Sequence, residues 1–377
     1  MAMDSRAAAS PNASCTMSKP RLLYATHVDW GHIWQRPHHV ATGLTAHFNV
    51  TVAAPTSRRR SLQVANPDDG LDRVSLLRVP GSIRFAPILS VNNPLCAAQL
   101  RARVRSHVDC VMVTAPECLP WVAPWVGRST LAYDCMDDAL AFHGDGEVRR
   151  AKSRLERTLL ARADAVFASS ERLRELCLAR GASAAKTLEV PNGWDGRAFP
   201  VRASRPLPGS GPLSIVYFGT LDTWLDVAAL DAAVRASPEL TIRIIGPNEC
   251  RYVPAHPRIV LCPPVQHAKL AAAVADADAF VLPFKLTDLT RGVDPVKLYE
   301  YIALGRPVLS AYWPGLERFR EFVTFYEGAD QFSRLIAERA LPEPRPAERR
   351  AEFLARHTWT ARVSAMAHVL GAAAGRD

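Results

Sequence analysis

No two of the eight cysteines (Cys15, Cys96, Cys110, Cys118, Cys135, Cys177, Cys250, Cys262) stand in a C-x-x-C pair, and several sit inside apolar runs. That absence argues against a redox or zinc-ribbon motif and reads the thiols as reduced core residues of a cytosolic chain. Nowhere do about 18 apolar residues follow one another uninterrupted, so no segment is expected to span a bilayer. The first twenty residues, rich in Ala and Ser, lack the apolar centre of a signal peptide and read as a loose tail. No zinc-finger, RNP or homeodomain-like pattern supports a nucleic-acid partner. No G-x-G-x-x-G follows a strand-like run, which argues against a nicotinamide dehydrogenase.

What is present is length and positive charge. At 377 residues the chain exceeds what one core normally holds, and two domains are expected. A formal charge of +9 leaves nucleic acid, an anionic membrane or an anionic substrate as partners, and the first has no motif behind it. An acidic leaflet attracts basic segments by about 1 kcal/mol per nearby Lys or Arg, so peripheral attachment to the inner face of the cell membrane is a candidate.

The stretch 291–310, RGVDPVKLYEYIALGRPVLS, organises the rest. Val296, Tyr299 or Glu300, Ala303 and Leu304 recur at helical spacing, Pro295 sits where a first turn tolerates it, and Gly305 follows as a stop. A helix of about ten residues is predicted, then a short buried strand over 307–311. Arg291 and Lys297 flank the helix start, where unpaired N–H groups and the positive end of the dipole favour an anion such as a diphosphate. Glu300 is suited to take hydrogen bonds from the vicinal hydroxyls of a ribose. A solvated ion pair between Lys297 and Glu300, contributing about 0.2–0.5 kcal/mol, is the alternative.

Upstream, strands are predicted at 21–25, 48–54, 74–79, 109–114, 130–133, 165–169 and 188–191. The loop after the first carries His27, Asp29, Trp30, His32, Trp34, Gln35 and Arg36, at the sheet edge where open α/β folds bind ligands. His27, His32, His38 and His39 suggest a metal, but no Cys or carboxylate spacing completes a site, so none is expected. Arg58, Arg59 and Arg60 form a solvated loop or a phosphate or membrane contact. Residues 82–105 mix Phe85, Ile88, Leu89, Leu95 and Leu100 with Arg84, Arg101, Arg103 and Arg105, which suits either a membrane-facing helix or a core helix with an arginine face. Asp134, Asp137 and Asp138 crowd one strand end; their repulsion raises at least one pKa, as a general base needs, unless Asp134 or Asp137 caps a following helix. Residues 201–212 read as a linker. A second parallel set follows at 214–219, 240–246, 258–261, 279–284, 307–311 and 322–326, with Gly219 and Gly246 ending strands where backbone approaches a ligand. Asp276-Ala277-Asp278 precedes its strand and reads as a helix end. A last helix is predicted over 347–372.

Pro295, Lys297, Glu300, Tyr301, Ala303, Gly305, Pro307 and Val308 resemble the donor-nucleotide motif of the GT-B glycosyltransferases. WQRPHHVATGL resembles the opening of a bacterial subset of them. YDCMDD resembles the corresponding stretch of teichuronic-acid-type enzymes and, more loosely, of the xanthan glucuronosyltransferase, whose catalytic aspartate falls on Asp137. The resemblance implies two Rossmann-like doubly wound domains facing a cleft: an acceptor domain over 20–200 completed by a C-terminal helix 357–377, and a nucleotide-sugar domain over 213–356, after a tail at 1–19. It implies a metal-independent, cytoplasmic hexosyltransferase without cofactor. The donor is a nucleoside diphosphate sugar, and the acceptor is a lipid-linked or cell-surface saccharide. Asp137 is the candidate base, with Asp134 second. Gly219, Thr220, Gly246, Arg291, Val296, Lys297 and Glu300 are expected at the donor, and His27, Asp29, Trp34 and Arg36 at the acceptor. Two departures stand out: Gly292 occupies the place of the first Glu in the Glu-x7-Glu pair of retaining members, and the loop after the strand 214–219 has no base, which shifts the diphosphate to Arg291 and Lys297. A nucleotide-sugar 2-epimerase and a non-catalytic sugar-nucleotide or membrane-binding module are the rival readings.

Overall fold

Short aliphatic runs separated by helical stretches build two all-parallel sheets in the computed structural model, which describes residues 19–31, 33–55, 70–79, 81, 86–144 and 146–375. The first comprises β1 (Arg21–Ala25), β2 (Asn49–Pro55), β3 (Asp72–Leu76), β4 (Cys110–Val113), β5 (Thr130–Cys135), β6 (Ala165–Ala168) and β7 (Thr187–Glu189), in the order β3-β2-β1-β4-β5-β6-β7. The second comprises β8 (Leu213–Phe218), β9 (Leu240–Ile245), β10 (Ile259–Cys262), β11 (Ala279–Leu282), β12 (Val308–Ala311) and β13 (Thr324–Tyr326), in the order β10-β9-β8-β11-β12-β13. Central strands such as β4, β5, β6 and β11 are buried along their whole length. Helices therefore cover both faces, and the strands read as continuous apolar runs. In each sheet the order reverses beside the first strand, at a switch point where such folds bind ligands.

Most predicted boundaries shift by one to three residues. The third strand lies at Asp72–Leu76 instead of 74–79. The last helix is two: Ala347–Ala355 ends, the chain turns, and Thr358 caps Trp359–Ala373 by accepting from Ala361 N at 3.2 Å. The turn lets Trp194 N donate to His357 O at 2.6 Å, and it sets Trp359, Val363, Met366 and Leu370 into the core over the first sheet. Helix Ala86–Arg103 buries Leu89, Cys96 and Leu100, so it is a core helix on that side, while Val91 and Leu95 stay exposed. Asp276 and Asp278 serve structure: Asp278 accepts from Ser214 N at 2.9 Å and Arg205 at 3.0 Å, and Asp276 pairs with Arg243 at 2.7 Å. Cys96, Cys110, Cys118, Cys135 and Cys177 are buried free thiols. The tail, Cys15, His32, Arg58, Arg59, Arg60, Arg84 and Phe85 lie outside the described residues. No described helix is long and apolar enough to cross a membrane.

Candidate active site

Helix Val296–Leu304 starts after Pro295 and stops at Gly305, whose φ of 68° is left-handed. A Cβ at 305 would press on the Ala203 carbonyl and the Arg350 guanidinium, so both conformation and space demand glycine. Arg350, 2% exposed, donates to the Ile302 and Ala303 carbonyls at 2.8 and 3.0 Å. A buried cation thus satisfies the helix's last acceptors and faces its negative end.

At the other end, half-buried Lys297 lies against the backbone of Gly219, with its ammonium 5.8 Å from the Tyr217 ring. Burial lowers its pKa, and Glu300 acts in the opposite direction. Gly219 (φ 137°) leaves β8 and Gly246 (φ 151°) leaves β9. A Cβ on Gly219 would strike Lys297, and one on Gly246 would strike the Gly219 carbonyl. The two glycines and the lysine therefore meet at one point beside a helix N-terminus, an arrangement suited to an anion. Next to them the Thr220 carbonyl accepts from Tyr217 Oη at 2.9 Å. Glu300, 5% exposed, takes the Nε2–H of His267 at 3.0 Å. Glu300 is therefore not part of a solvated surface pair with Lys297, the alternative reading. Arg291 is exposed at the end of the four-residue helix Asp288–Arg291, unlike Lys297. Val296, expected among the donor contacts, is half-buried on the first turn and packs against the apolar cluster of the first sheet's half.

The aspartates at the end of β5 separate into three roles. Asp134 is fully buried: Oδ1 accepts from Arg36 Nε at 2.9 Å and Nη2 at 2.7 Å, and Oδ2 from Tyr24 Oη at 3.4 Å. It has no face left for an acceptor, so it is corrected from second base to structural anion. Asp138 pairs with Arg180 at 2.8 Å and caps the Leu140 N–H at 3.1 Å. Asp137 is half-buried and its carboxylate has no hydrogen bond or ion pair among the described residues. Burial pushes its pKa up to about 7; Arg36 opposes, and Asp138 and Asp134 add to the rise. Desolvation therefore outweighs the like-charge repulsion inferred from the sequence. No helix starts at this turn, so the N-cap alternative falls.

Arg36 is corrected too. It is the first residue of helix Arg36–Leu44, 3% exposed, and Nη1 adds bonds to Val190 O at 2.9 Å and Asn192 Oδ1 at 3.1 Å. Its fork is consumed internally, which removes it from the acceptor contacts. His27 Nδ1 meets Thr114 Oγ1 at 3.2 Å, and burial lowers its pKa to about 4, so it stays neutral. Asp29 accepts from Gly31 N at 3.1 Å in its own loop. Trp34 stacks on His267 of the other half at 6.2 Å and donates through Nε1 to His39 Nδ1 at 3.2 Å.

The sequence missed His267. It joins Glu300, Trp34, His39 (5.4 Å) and Phe199 (5.2 Å), and its Nδ1 lies 3.9 Å from Asp195. Ligand atoms of His39, Asp195 and His267 lie within 4.8 Å of one another, a group that could hold a cation and that no local spacing revealed. Chemistry disfavours it: an indole N–H only donates, so His39 Nδ1 accepts and the ring's proton sits on Nε2, the nitrogen left for a metal. His38 uses Nε2 on the Trp30 carbonyl at 3.0 Å and Nδ1 on the Gln35 N–H at 3.3 Å.

Two family models match the chain: a "Glycosyl transferase 4-like domain" over residues 31–193 and a "Glycosyl transferase-like" model over 227–368. TuaH of Bacillus subtilis (strain 168), assigned as a glycosyltransferase of teichuronic acid biosynthesis, is 23% identical over 212 residues, which are 53% of this chain and 50% of TuaH. The chain thus matches about half the length of that relative. Sucrose-phosphate synthase from Thermosynechococcus elongatus superposes with a TM-score of 0.71 at 16% identity, covering 93% of this chain and 98% of the enzyme. HepE from Anabaena, in complex with UDP-glucose, superposes at 0.64 with 15% identity, covering 93% and 99%. Two parallel-sheet halves, matched by two glycosyl transferase models and by whole GT-B structures, place this chain in the GT-B glycosyltransferase family.

Proposed function

We propose that this chain moves a sugar from a nucleoside diphosphate sugar to a hydroxyl acceptor in the cleft between its two sheets. The observation that carries the reading is the convergence of Lys297, Gly219 and Gly246 at the start of the helix that also carries Glu300. A diphosphate there meets a fixed cation and a helix dipole without waiting for solvent to reorganise, which stabilises charge as it develops on the leaving group. Glu300 takes the ribose hydroxyls. HepE, bound to UDP and to UDP-glucose, supports a uridine nucleotide as the first donor to test.

Asp137 accepts the proton of the acceptor hydroxyl, the acceptor oxygen bonds to the sugar's anomeric carbon, and the bond to the diphosphate breaks with its electron pair leaving on the nucleotide. A carboxyl with a pKa of about 7 is half ionised at neutral pH, which suits a base whose contribution is typically about 10²- to 10⁴-fold. The chemistry needs no metal. The likeness to TuaH supports a cell-surface or lipid-linked saccharide as acceptor. An anionic membrane is met through Leu77, Val79, Val91 and Leu95, all exposed, beside Arg101 and Arg103.

The test is UDP release from UDP-glucose and related donors with and without saccharide acceptors. Release that depends on the acceptor and is lost in Asp137→Asn, with UDP binding intact, supports transfer; acceptor-independent release points to an epimerase-like hydrolysis.

A further inference from the structure

Four stretches far apart in the sequence each give one residue to a single buried polar chain. WQRP supplies Arg36, YDCMDD supplies Asp134, the segment after β7 supplies Asn192, and RGVDPVK supplies Asp294, at 3%, 0%, 8% and 2% exposure. Arg36 holds Asp134 through Nε and Nη2 and passes Nη1 to Asn192 Oδ1 at 3.1 Å. Asn192 then turns both kinds of N–H it has to the other half: Nδ2 donates to Asp294 O at 2.5 Å and its backbone N–H to Asp294 Oδ2 at 2.7 Å. Tyr299 Oη closes the chain on Asp294 Oδ2 at 3.2 Å.

The two ends matter. Asp134 lies three residues before Asp137 on the strand end of the first sheet. Asp294 lies two residues before the helix that carries Lys297 and Glu300, which belongs to the second. Ser170 Oγ adds a parallel tie by donating to Gly292 O at 2.6 Å.

We propose that the Asp134–Arg36–Asn192–Asp294 chain is the positioning element of the cleft, fixing the first turn of the donor helix relative to the loop of Asp137. The inference rests on the sugar-transfer reading for its purpose but not for its geometry. Asn192 is the joint, because its amide accepts from the Arg36 guanidinium on one side and donates to the Asp294 carbonyl on the other. A fully satisfied buried network specifies one arrangement, and a cut one does not. Transfer is sensitive to this: reacting groups must meet at near-contact distance, and a displacement of about 1 Å costs on the order of 10² in rate.

The experiment needs no acceptor. Spin labels at Ala179→Cys in the first half and at native Cys250 in the second, with Cys15 and Cys262 replaced by Ser, report the separation of the halves by pulsed electron resonance. Ala179 and Cys250 are exposed. The Asn192→Ala chain is expected to give a broader distribution with a longer-distance population, while its affinity for UDP, a property of the second half, stays within about twofold of the starting chain. Asn192→Leu, similar in size but with no donor or acceptor, provides the same reading if the alanine chain does not fold. An unchanged distribution in a folded variant overturns the inference. An unaltered chain that binds no UDP or other sugar nucleotide overturns the donor reading and removes the purpose assigned here, whatever the labels report; a changed distribution with UDP binding retained supports both.

Discussion

His267 Nε2 lies 3.0 Å from Glu300 Oε1, so the carboxylate proposed to take ribose hydroxyls already carries a partner from the helix His267–Ala273. An ionised carboxylate only accepts, so the imidazole donates. Removing that donor leaves a carboxylate at 5% exposure short of a bond, which costs about 1–3 kcal/mol. His267→Ala should lose that much stability in urea denaturation and bind UDP more weakly, and His267→Gln, which still donates, should recover most of both. Wild-type affinity in the alanine variant would remove His267 from the donor site.

Asp137 ties activity to pH in one direction. Its carboxyl must be ionised to act as a base, so turnover should rise through about pH 7 and level off above. The stability effect has the opposite sense. The folded pKa of about 7 stands above the unfolded value of about 3.9. The native state therefore holds the proton longer, and this group's contribution falls from about pH 4 to about pH 7. Asp137→Asn should be more stable than the native chain at pH 8 and no more stable below pH 4, while turnover drops by about 10²- to 10⁴-fold. Denaturant titrations at the two pH values and a rate profile check both halves; a less stable asparagine variant at pH 8 would contradict the desolvated environment.

Gly219 should tolerate no side chain. Its φ of 137° and the Lys297 side chain in its Cβ position both oppose alanine. Gly219→Ala should cost about 1–3 kcal/mol and displace the ammonium. Calorimetry of UDP binding should then show an affinity loss similar to that of deleting the lysine amine. Wild-type binding would show that the contact is incidental.

These residues show what was legible beforehand. Helix Val296–Leu304 and its stop at Gly305 were readable because helix ends are local chemistry, and the strand-end glycines because close backbone approach needs them. Asp137 is singled out by its crowded carboxylates and by resemblance, but its separation in role from Asp134 is not legible, since that depends on Arg36, 98 residues before Asp134. Arg36 was misread as a loop cation because nothing nearby shows that Val190, Asn192 and Asp134 surround it. His267 and Glu300 are 33 residues apart and meet only through sheet order. The break before Trp359 did have a signal, Thr358 at an N-cap position, which the apolar periodicity on both sides obscured.

Arg350 anchors the C-terminal end of helix Val296–Leu304. Lysine lacks the planar fork that reaches Ile302, Ala303 and Arg345 together, so Arg350→Lys should be nearly as harmful as Arg350→Met. Each should lose about 1–3 kcal/mol, the cost of leaving buried carbonyl acceptors without their donor. Thermal melts of the two variants check this; full rescue by lysine would show that charge alone suffices.

Val91→Glu with Leu95→Glu changes only exposed positions and should leave the fold and UDP binding intact. Flotation with anionic vesicles should show reduced attachment. Unchanged flotation would remove this face from the membrane proposal.

The central claim is tested most directly by the thermal shift that UDP and UDP-glucose produce in the native chain and in Lys297→Ala. A ligand at about 100 times its Kd stabilises the folded state by about 2.7 kcal/mol. The account predicts a saturable rise in Tm for the native chain, and a dose dependence displaced by about 10- to 100-fold in nucleotide concentration for the variant, the loss of one charge-assisted contact. Identical curves for the two chains, or no shift with any sugar nucleotide, would contradict it.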